Sequence, residues 1–232
     1  KSLRGRGLGT ELIKFLHTKT NLDGFMVNSI KNDKASNWYK KNGYLVLGNC
    51  EVFYKRPNDN NIKNILDISN AKQIMKIELM EEKLVKSFNK FNIGYVGFEK
   101  RDLGFWIKKL ENHYYSDTSE YFIIKTEIAS DSYDYCLFAI SNRNKDTKTI
   151  DTLEFIYSKE SSIVLFLRTL QNLSRELNIS KVRIQCSNDN FLKNYLLRDG
   201  FIKDFDYEIL SYLKNDKIEV LNPLKFYQFD YI

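Results

Sequence analysis

The stretch Arg4-Gly5-Arg6-Gly7-Leu8-Gly9-Thr10 runs directly into a helical pattern over 10–19. Glycines carry no β-carbon, so backbone N–H groups there approach a ligand closely. A helix start adds unpaired donors and the positive end of its dipole. The stretch is therefore constrained to a turn entering a helix, and the same geometry suits a phosphate. Gly5-x-Gly7-x-Gly9 lacks the spacing of a dinucleotide fingerprint, and no Gly-Lys-Ser/Thr closes it as a P-loop requires. Taken alone, the glycines also fit a plain turn, and Arg4 and Arg6 a solvated basic patch.

A short apolar strand at 24–28 follows, then Asn32, Ala35, Trp38, Tyr39, Lys41, Gly43 and Tyr44, with a second short helix ending at Gly43. Loop, helix, strand and helix in this order are more restrictive than the loop by itself. Together they resemble the GCN5-related N-acetyltransferases. That family's Arg/Gln-x-x-Gly-x-Gly/Ala reads here as Arg4 to Gly9. Its Asn-x-x-Ala-x-x-aromatic-Tyr-x-Lys-x-Gly-aromatic reads as Asn32 to Tyr44 without a gap. The resemblance covers residues 3–56.

The resemblance implies acetyl-CoA as cosubstrate. The pyrophosphate lies against Arg4, Gly5, Arg6, Gly7, Leu8, Gly9 and Thr10, while Asn32 steadies the pantetheine or the adjoining backbone. An amine of a small molecule or peptide attacks the thioester directly, and Tyr39 protonates the departing thiolate. A phenol suits that step because its ordinary pKa of about 10 keeps it protonated at neutral pH. Without the motif around it, Tyr39 reads as a packed aromatic with a satisfied hydroxyl. In the family a helical pair and four strands precede the phosphate loop. Here the sequence begins with Lys1 beside the loop, so it is expected to be the remainder of a longer polypeptide. A non-catalytic coenzyme-A-binding or protein-interaction module of the same fold is the alternative, separated from the enzyme by whether thiol is released.

An apolar content of 43 % is enough to build cores for one large domain or two small ones. The formal charge of +6 favours an anionic ligand, but no run of basic residues interleaved with aromatics marks a nucleic-acid surface, so no nucleic-acid partner is expected. Cys50, Cys136 and Cys186 are odd in number and far apart, and read as buried small hydrophobes. Two histidines, His17 and His113, are too few for a His-rich metal site, and no metal is expected. His17 reads as a helix-surface or satisfied packing residue. No apolar stretch is long enough to span a bilayer and no signal-peptide pattern is seen, so a cytoplasmic protein is expected, with no membrane partner.

The remaining residues show a polar stretch around 55–63, helical patterns over 67–89 and 103–114, and strand signals at 121–127, 133–141 and 149–157. A helix at 162–177, a strand at 182–186, a helix at 189–197 ending at Gly200, and strands near 205–213 and 226–231 follow. This is the order of the acetyltransferase fold a second time. With Gly43-Tyr44 laid on Gly200-Phe201, Val27 falls on Ile184, and Ile13 and Leu16 on Leu170 and Leu173, as an old internal duplication leaves them. In that register Arg4, Gly7 and Gly9 meet Ser161, Val164 and Phe166, and Tyr39 meets Leu196. The second copy reads as degenerate. The expected architecture is α/β (α+β), a mixed sheet flanked by helices. The C-terminal half of an acetyltransferase domain occupies 1–57, a linker 58–65, and a second, degenerate copy 66–232, serving either as a scaffold or to shape the acceptor pocket.

Overall fold

The computed structural model describes residues 6–19, 24–57, 71–73, 82–95, 101–102, 104–111, 119–144, 147–187 and 189–213. Arg4, Gly5, the expected linker at 58–65 and the expected strand near 226–231 lie outside them. In chain order the elements are α1 (Leu8–Lys19), β1 (Gly24–Ile30), α2 (Lys34–Lys41), β2 (Leu45–Lys55), β3 (Ala71–Gln73), α3 (Glu82–Phe91), α4 (Phe105–Glu111), β4 (Ser119–Ala129), β5 (Ser132–Asn144), β6 (Thr147–Ile156), α5 (Glu160–Glu176), β7 (Lys181–Ser187), α6 (Asn190–Arg198) and β8 (Ile202–Leu213). Two compact units result, and they are not consecutive in sequence. Lys1–Cys50 with Phe205–Leu221 form one, and Glu51–Asp204 with Asn222–Ile232 the other. The division expected from sequence, at 57 and 66, keeps β8 with the second half, whereas its residues 205–213 group with the first.

In the first unit β1 pairs antiparallel with β8, from Gly24↔Leu213 to Ile30↔Tyr207. Ile13, Tyr44 and Leu210 are buried there, with Phe25, Val27, Trp38, Tyr39 and Tyr212 packed against them.

The second unit is a mixed sheet in the order β7-β6-β5-β4-β3, antiparallel from β3 to β6 and parallel between β6 and β7. The apolar run 135–140 in β5 is continuous because both faces of the strand are covered. Cys136, Phe138 and Ile140 join one cluster with Ile163, Phe166, Leu167 and Leu170 of α5, while Tyr135, Leu137 and Ala139 join a second with Leu84, Phe88, Phe105 and Trp106 of α3 and α4. Alternation at period two sends successive residues to opposite faces. Within the second cluster Arg101 lies between the Phe88 and Phe105 rings, 4.1 and 4.0 Å from their centroids, and ion-pairs with Glu154 at 2.7 Å. Trp106 Nε1 and the Tyr135 hydroxyl donate to the same carboxylate at 2.9 and 2.8 Å. Burial pushes the Glu154 carboxyl up, opposed by Arg101 and these donors.

Two features give the sheet its opening. The β5–β6 register shifts between Leu137↔Glu154 and Phe138↔Thr152, leaving Leu153 as the extra residue of a bulge. The β6–β7 ladder spans Thr149↔Lys181 to Asp151↔Arg183, although β6 continues to Ile156 and β7 to Ser187, so the strands part beyond it.

The expected helix at 67–89 is shorter and later. Within it Ala71–Gln73 pairs with β4, Ala71↔Ile124 to Gln73↔Phe122, and α3 starts at Glu82. Ala71, Lys72 and Gln73 carry no β-branched side chain, so the strand arises from the edge that β4 offers rather than from local propensity. Cys50, Cys136 and Cys186 are buried, none of them in a disulfide, and Cys186 Sγ donates to the Asp189 carbonyl at 3.1 Å. Among the described residues no helix is long and apolar enough to cross a membrane.

Candidate functional site

The glycine loop becomes a helix start because Gly7 sits at φ +78, in the left-handed region that L side chains avoid, and so stops α1 from extending backwards. The first turn closes with the Glu11 N–H donating to the Gly7 carbonyl at 3.0 Å. The N–H groups of Leu8, Gly9 and Thr10 precede that bond and have no acceptor within the helix. Arg6, Gly7, Leu8 and Gly9 are exposed, and Thr10 is half-buried.

At Gly9 the loop lies against the indole of Trp38: a β-carbon there would stand at ordinary contact, 3.4 Å from Cζ2, with little room for anything larger. Trp38 Nε1 donates to Thr10 Oγ1 at 3.3 Å. The two halves of the motif, far apart in sequence, thus meet through Gly9, Thr10 and Trp38, the residue preceding Tyr39.

Tyr39 is half-buried on α2. Its ring meets Trp38 edge-on at 5.0 Å and Tyr44 edge-on at 5.1 Å between centroids. Asp33 caps this helix, its Oδ1 accepting from the Ser36 N–H at 2.6 Å and from Ser29 Oγ at 3.0 Å. Asn32 stands immediately before the cap at φ 62, a conformation asparagine tolerates better than most residues. Its carbonyl accepts from Asn37 Nδ2 at 3.3 Å. The structure thus gives Asn32 a backbone role in the turn, with an exposed side chain. At the other end Gly43, at φ +87, turns the chain so that the Tyr44 N–H reaches the Tyr39 carbonyl at 3.2 Å.

Residues that the motif did not include complete the surroundings. His17 stacks on Tyr212 with centroids 3.5 Å apart and rings 1° from parallel, and its Nε2 is hydrogen-bonded to the Tyr44 hydroxyl at 3.2 Å. Burial pushes the Tyr44 phenol up, reinforced by Tyr39 and Tyr212. Glu208 of β8 is only 4 % exposed; it accepts from Ser36 Oγ and pairs with Lys40 Nζ at 2.6 Å. Burial opposes its charge, but the donations from Lys40 and Ser36 outweigh burial and hold its carboxyl below the usual range. No local pattern announces Glu208, which lies 172 residues from Ser36.

The matching place in the second unit is built differently. In the register that carries Gly43 onto Gly200, β1 falls on β7 residue for residue and α2 on α6 within one residue, and the two glycines share φ values of +87 and +82. The helices that precede them do not match at their starts. α5 begins at Glu160, so Ser161, Val164 and Phe166, the counterparts of Arg4, Gly7 and Gly9, are already helical, and Phe166 is wholly buried against Phe155. Asp134, 1 % exposed, accepts from Ser162 Oγ at 2.5 Å and Ser158 Oγ at 3.1 Å, placing a carboxylate of the unit's own at that helix start. Beyond the parting of β6 and β7, Tyr157 donates to Asp189 at 2.8 Å, and its ring packs against Phe91, Phe155 and Phe191.

No family model matches the chain, and no curated protein matches it. Solved structures do. It is similar to a GCN5-related N-acetyltransferase from Anabaena variabilis with a TM-score of 0.59 and 15 % identity, over 91 % of this chain and 52 % of that one. A GCN5-related N-acetyltransferase from Sphaerobacter thermophilus matches with a TM-score of 0.52 and 12 % identity, over 94 % and 72 %. A tandem protein of the same fold from the clavulanic acid biosynthesis pathway matches with a TM-score of 0.58 and 10 % identity, over 93 % and 72 %. The chain spans about half the length of the Anabaena protein. At these identities the likeness is one of architecture, and the fold of this chain is that of the GCN5-related N-acetyltransferases.

Proposed function

We propose that the protein transfers an acetyl group from acetyl-CoA to an amine of a small molecule or peptide, with the first unit as the coenzyme site. The observation that carries this reading is the contact of the glycine loop with the helix bearing Tyr39, through Trp38 against Gly9 and Thr10. Free N–H groups at the start of α1 suit a pyrophosphate. Arg4 to Thr10 hold it, and Asn32 presents the turn beside the pantetheine. The neutral acceptor amine attacks the thioester carbonyl, the C–S bond breaks, Tyr39 gives its proton to the coenzyme thiolate, and the proton lost by the acceptor nitrogen restores the Tyr39 phenol through solvent. The second unit is read as a degenerate repeat of the first. The shared register of β1 with β7 and α2 with α6 supports the duplication, and Asp134 at the α5 start supports the loss of coenzyme binding.

The test is steady-state kinetics with acetyl-CoA and a panel of amines, beside a coenzyme titration. Tyr39→Phe is expected to lower kcat by the ~10² to 10⁴ of a positioned acid while leaving coenzyme affinity unchanged. Equal kcat for both proteins reduces Tyr39 to a packing residue. Coenzyme binding without thiol release by the unmodified protein replaces the enzyme with a coenzyme-binding module.

A further inference from the structure

We infer that Glu208, far from the motif in sequence, is a positioning residue for Tyr39, fixing the helix that carries it from both sides of the phenol-bearing turn. This rests on the role proposed for Tyr39. Ser36 and Lys40 flank Tyr39 on α2, and both end on the Glu208 carboxylate, Lys40 at 2.6 Å. The carboxylate stands opposite Ser29 in the β1–β8 ladder, and Ser29 Oγ in turn donates to the Asp33 cap of the same helix. Two residue pairs further along, the Lys31 N–H donates to the Asp206 carbonyl at 2.8 Å, tying down the turn that presents Asn32. Cap, turn and helix body are thus all held by one short segment of β8.

Besides Glu208, α2 is held by its Asp33 cap and by the partial packing of Trp38 and Tyr39 against Ile13, Tyr44 and Leu210. It is eight residues long, too short to be stable by itself, and Ser36 is its one buried residue. The charged groups facing Glu208 are Lys40 from α2 and Lys31 from the preceding turn. A buried carboxylate with two convergent donors is a costly element for mere surface tethering, but it defines a single orientation where apolar packing permits several. A displacement of about 1 Å at a reacting group costs on the order of a hundredfold in rate.

The experiment uses the protein labelled with [¹³Cζ]tyrosine, with the Tyr39 resonance assigned by its loss in Tyr39→Phe. In Glu208→Gln that resonance is expected to move and kcat to fall about tenfold or more, with coenzyme Kd unchanged; Glu208→Asp recovers part of both. Acidification should move the Tyr39 resonance in the unmodified protein as Glu208 takes up a proton, and this step should vanish in Glu208→Gln. A folded Glu208→Gln with an unmoved Tyr39 resonance and full kcat overturns the inference. If Glu208→Gln does not fold, Ser36→Ala and Lys40→Met each remove one arm, and an unmoved resonance in both overturns it equally. If the unmodified protein turns over no amine, the functional reading fails, and the resonance alone decides whether Glu208 positions Tyr39.

Discussion

The starts of α1 and α5, counterparts in the proposed duplication, are built in opposite ways. At α1 a glycine in the left-handed region ends the helix at Leu8, leaves its first N–H groups free, and keeps a second glycine bare against Trp38. At α5 side chains with β-carbons let the helix continue backwards to Glu160, and Asp134 supplies a carboxylate inside the unit. The donors of a helix N-terminus attract an anion in either case. At α5 a carboxylate already stands beside the first turn, held by the Ser158 and Ser162 hydroxyls. In the duplication proposed above, the fold is kept while the site is lost, with one buried carboxylate present and the two glycines absent.

The largest effect expected from this contrast concerns the second unit as a scaffold. Glu154→Ala strands Arg101 as an uncompensated buried charge between two rings, which costs about 3–5 kcal/mol. Denaturant unfolding should show that loss. Below the transition, coenzyme affinity should stay at the unmodified value. A weakened affinity in the folded variant means that the second unit takes part in coenzyme binding and is more than a scaffold.

Next is Gly9→Val. The new side chain meets the indole of Trp38 where even a β-carbon has only ordinary contact distance, so the loop must shift from α2. Overpacking of this kind costs about 1–3 kcal/mol, and coenzyme affinity should fall about tenfold or more in a calorimetric titration. Unchanged affinity removes the loop from the site.

Legibility in the sequence followed the range of the interactions. The order of loop, helix, strand and short helix was readable because each demand is local: glycines at a helix start, an apolar strand, a short helix ended by Gly43. The register that lays β1 on β7 was readable from apolar positions such as Val27 and Ile184. The reason for Gly9 was only half visible, since Trp38 is brought against it by tertiary packing. The strand Ala71–Gln73 was hidden because its three residues carry no strand preference of their own. Glu208, Tyr212 and Asp134 left no trace in pattern, because each acts on residues far away in the chain and nothing near it in sequence records that partner.

Asp134→Ala is a milder disturbance of the contrast. It removes the acceptor for the Ser158 and Ser162 hydroxyls near the α5 start and leaves the buried Ser162 hydroxyl without it, a loss of about 1–3 kcal/mol. Native mass spectrometry should still find one coenzyme per chain, because Phe166 and Tyr157 occupy their places independently of Asp134. A second coenzyme in this variant means that Asp134 is the sole barrier and that the second site is closed by one residue.

The smallest effect is expected from giving the second unit the glycine it lacks. Val164→Gly restores a glycine at the counterpart of Gly7, but Val164 lies inside α5, past its first turn, and the helix start is held by Ser162 on Asp134. The substituted residue has no reason to leave the helical region while the turns on either side are bonded. A glycine within a helix costs up to about 1 kcal/mol. Unfolding should register only that, circular dichroism should retain the helix content, and coenzyme stoichiometry should remain one per chain. Glycine permits the left-handed turn at Gly7 but does not compel it; the neighbours decide. Two coenzymes bound to Val164→Gly, with helix content reduced by the turn that α5 has and α1 lacks, would show the reverse: that a single β-carbon is what separates the two helix starts.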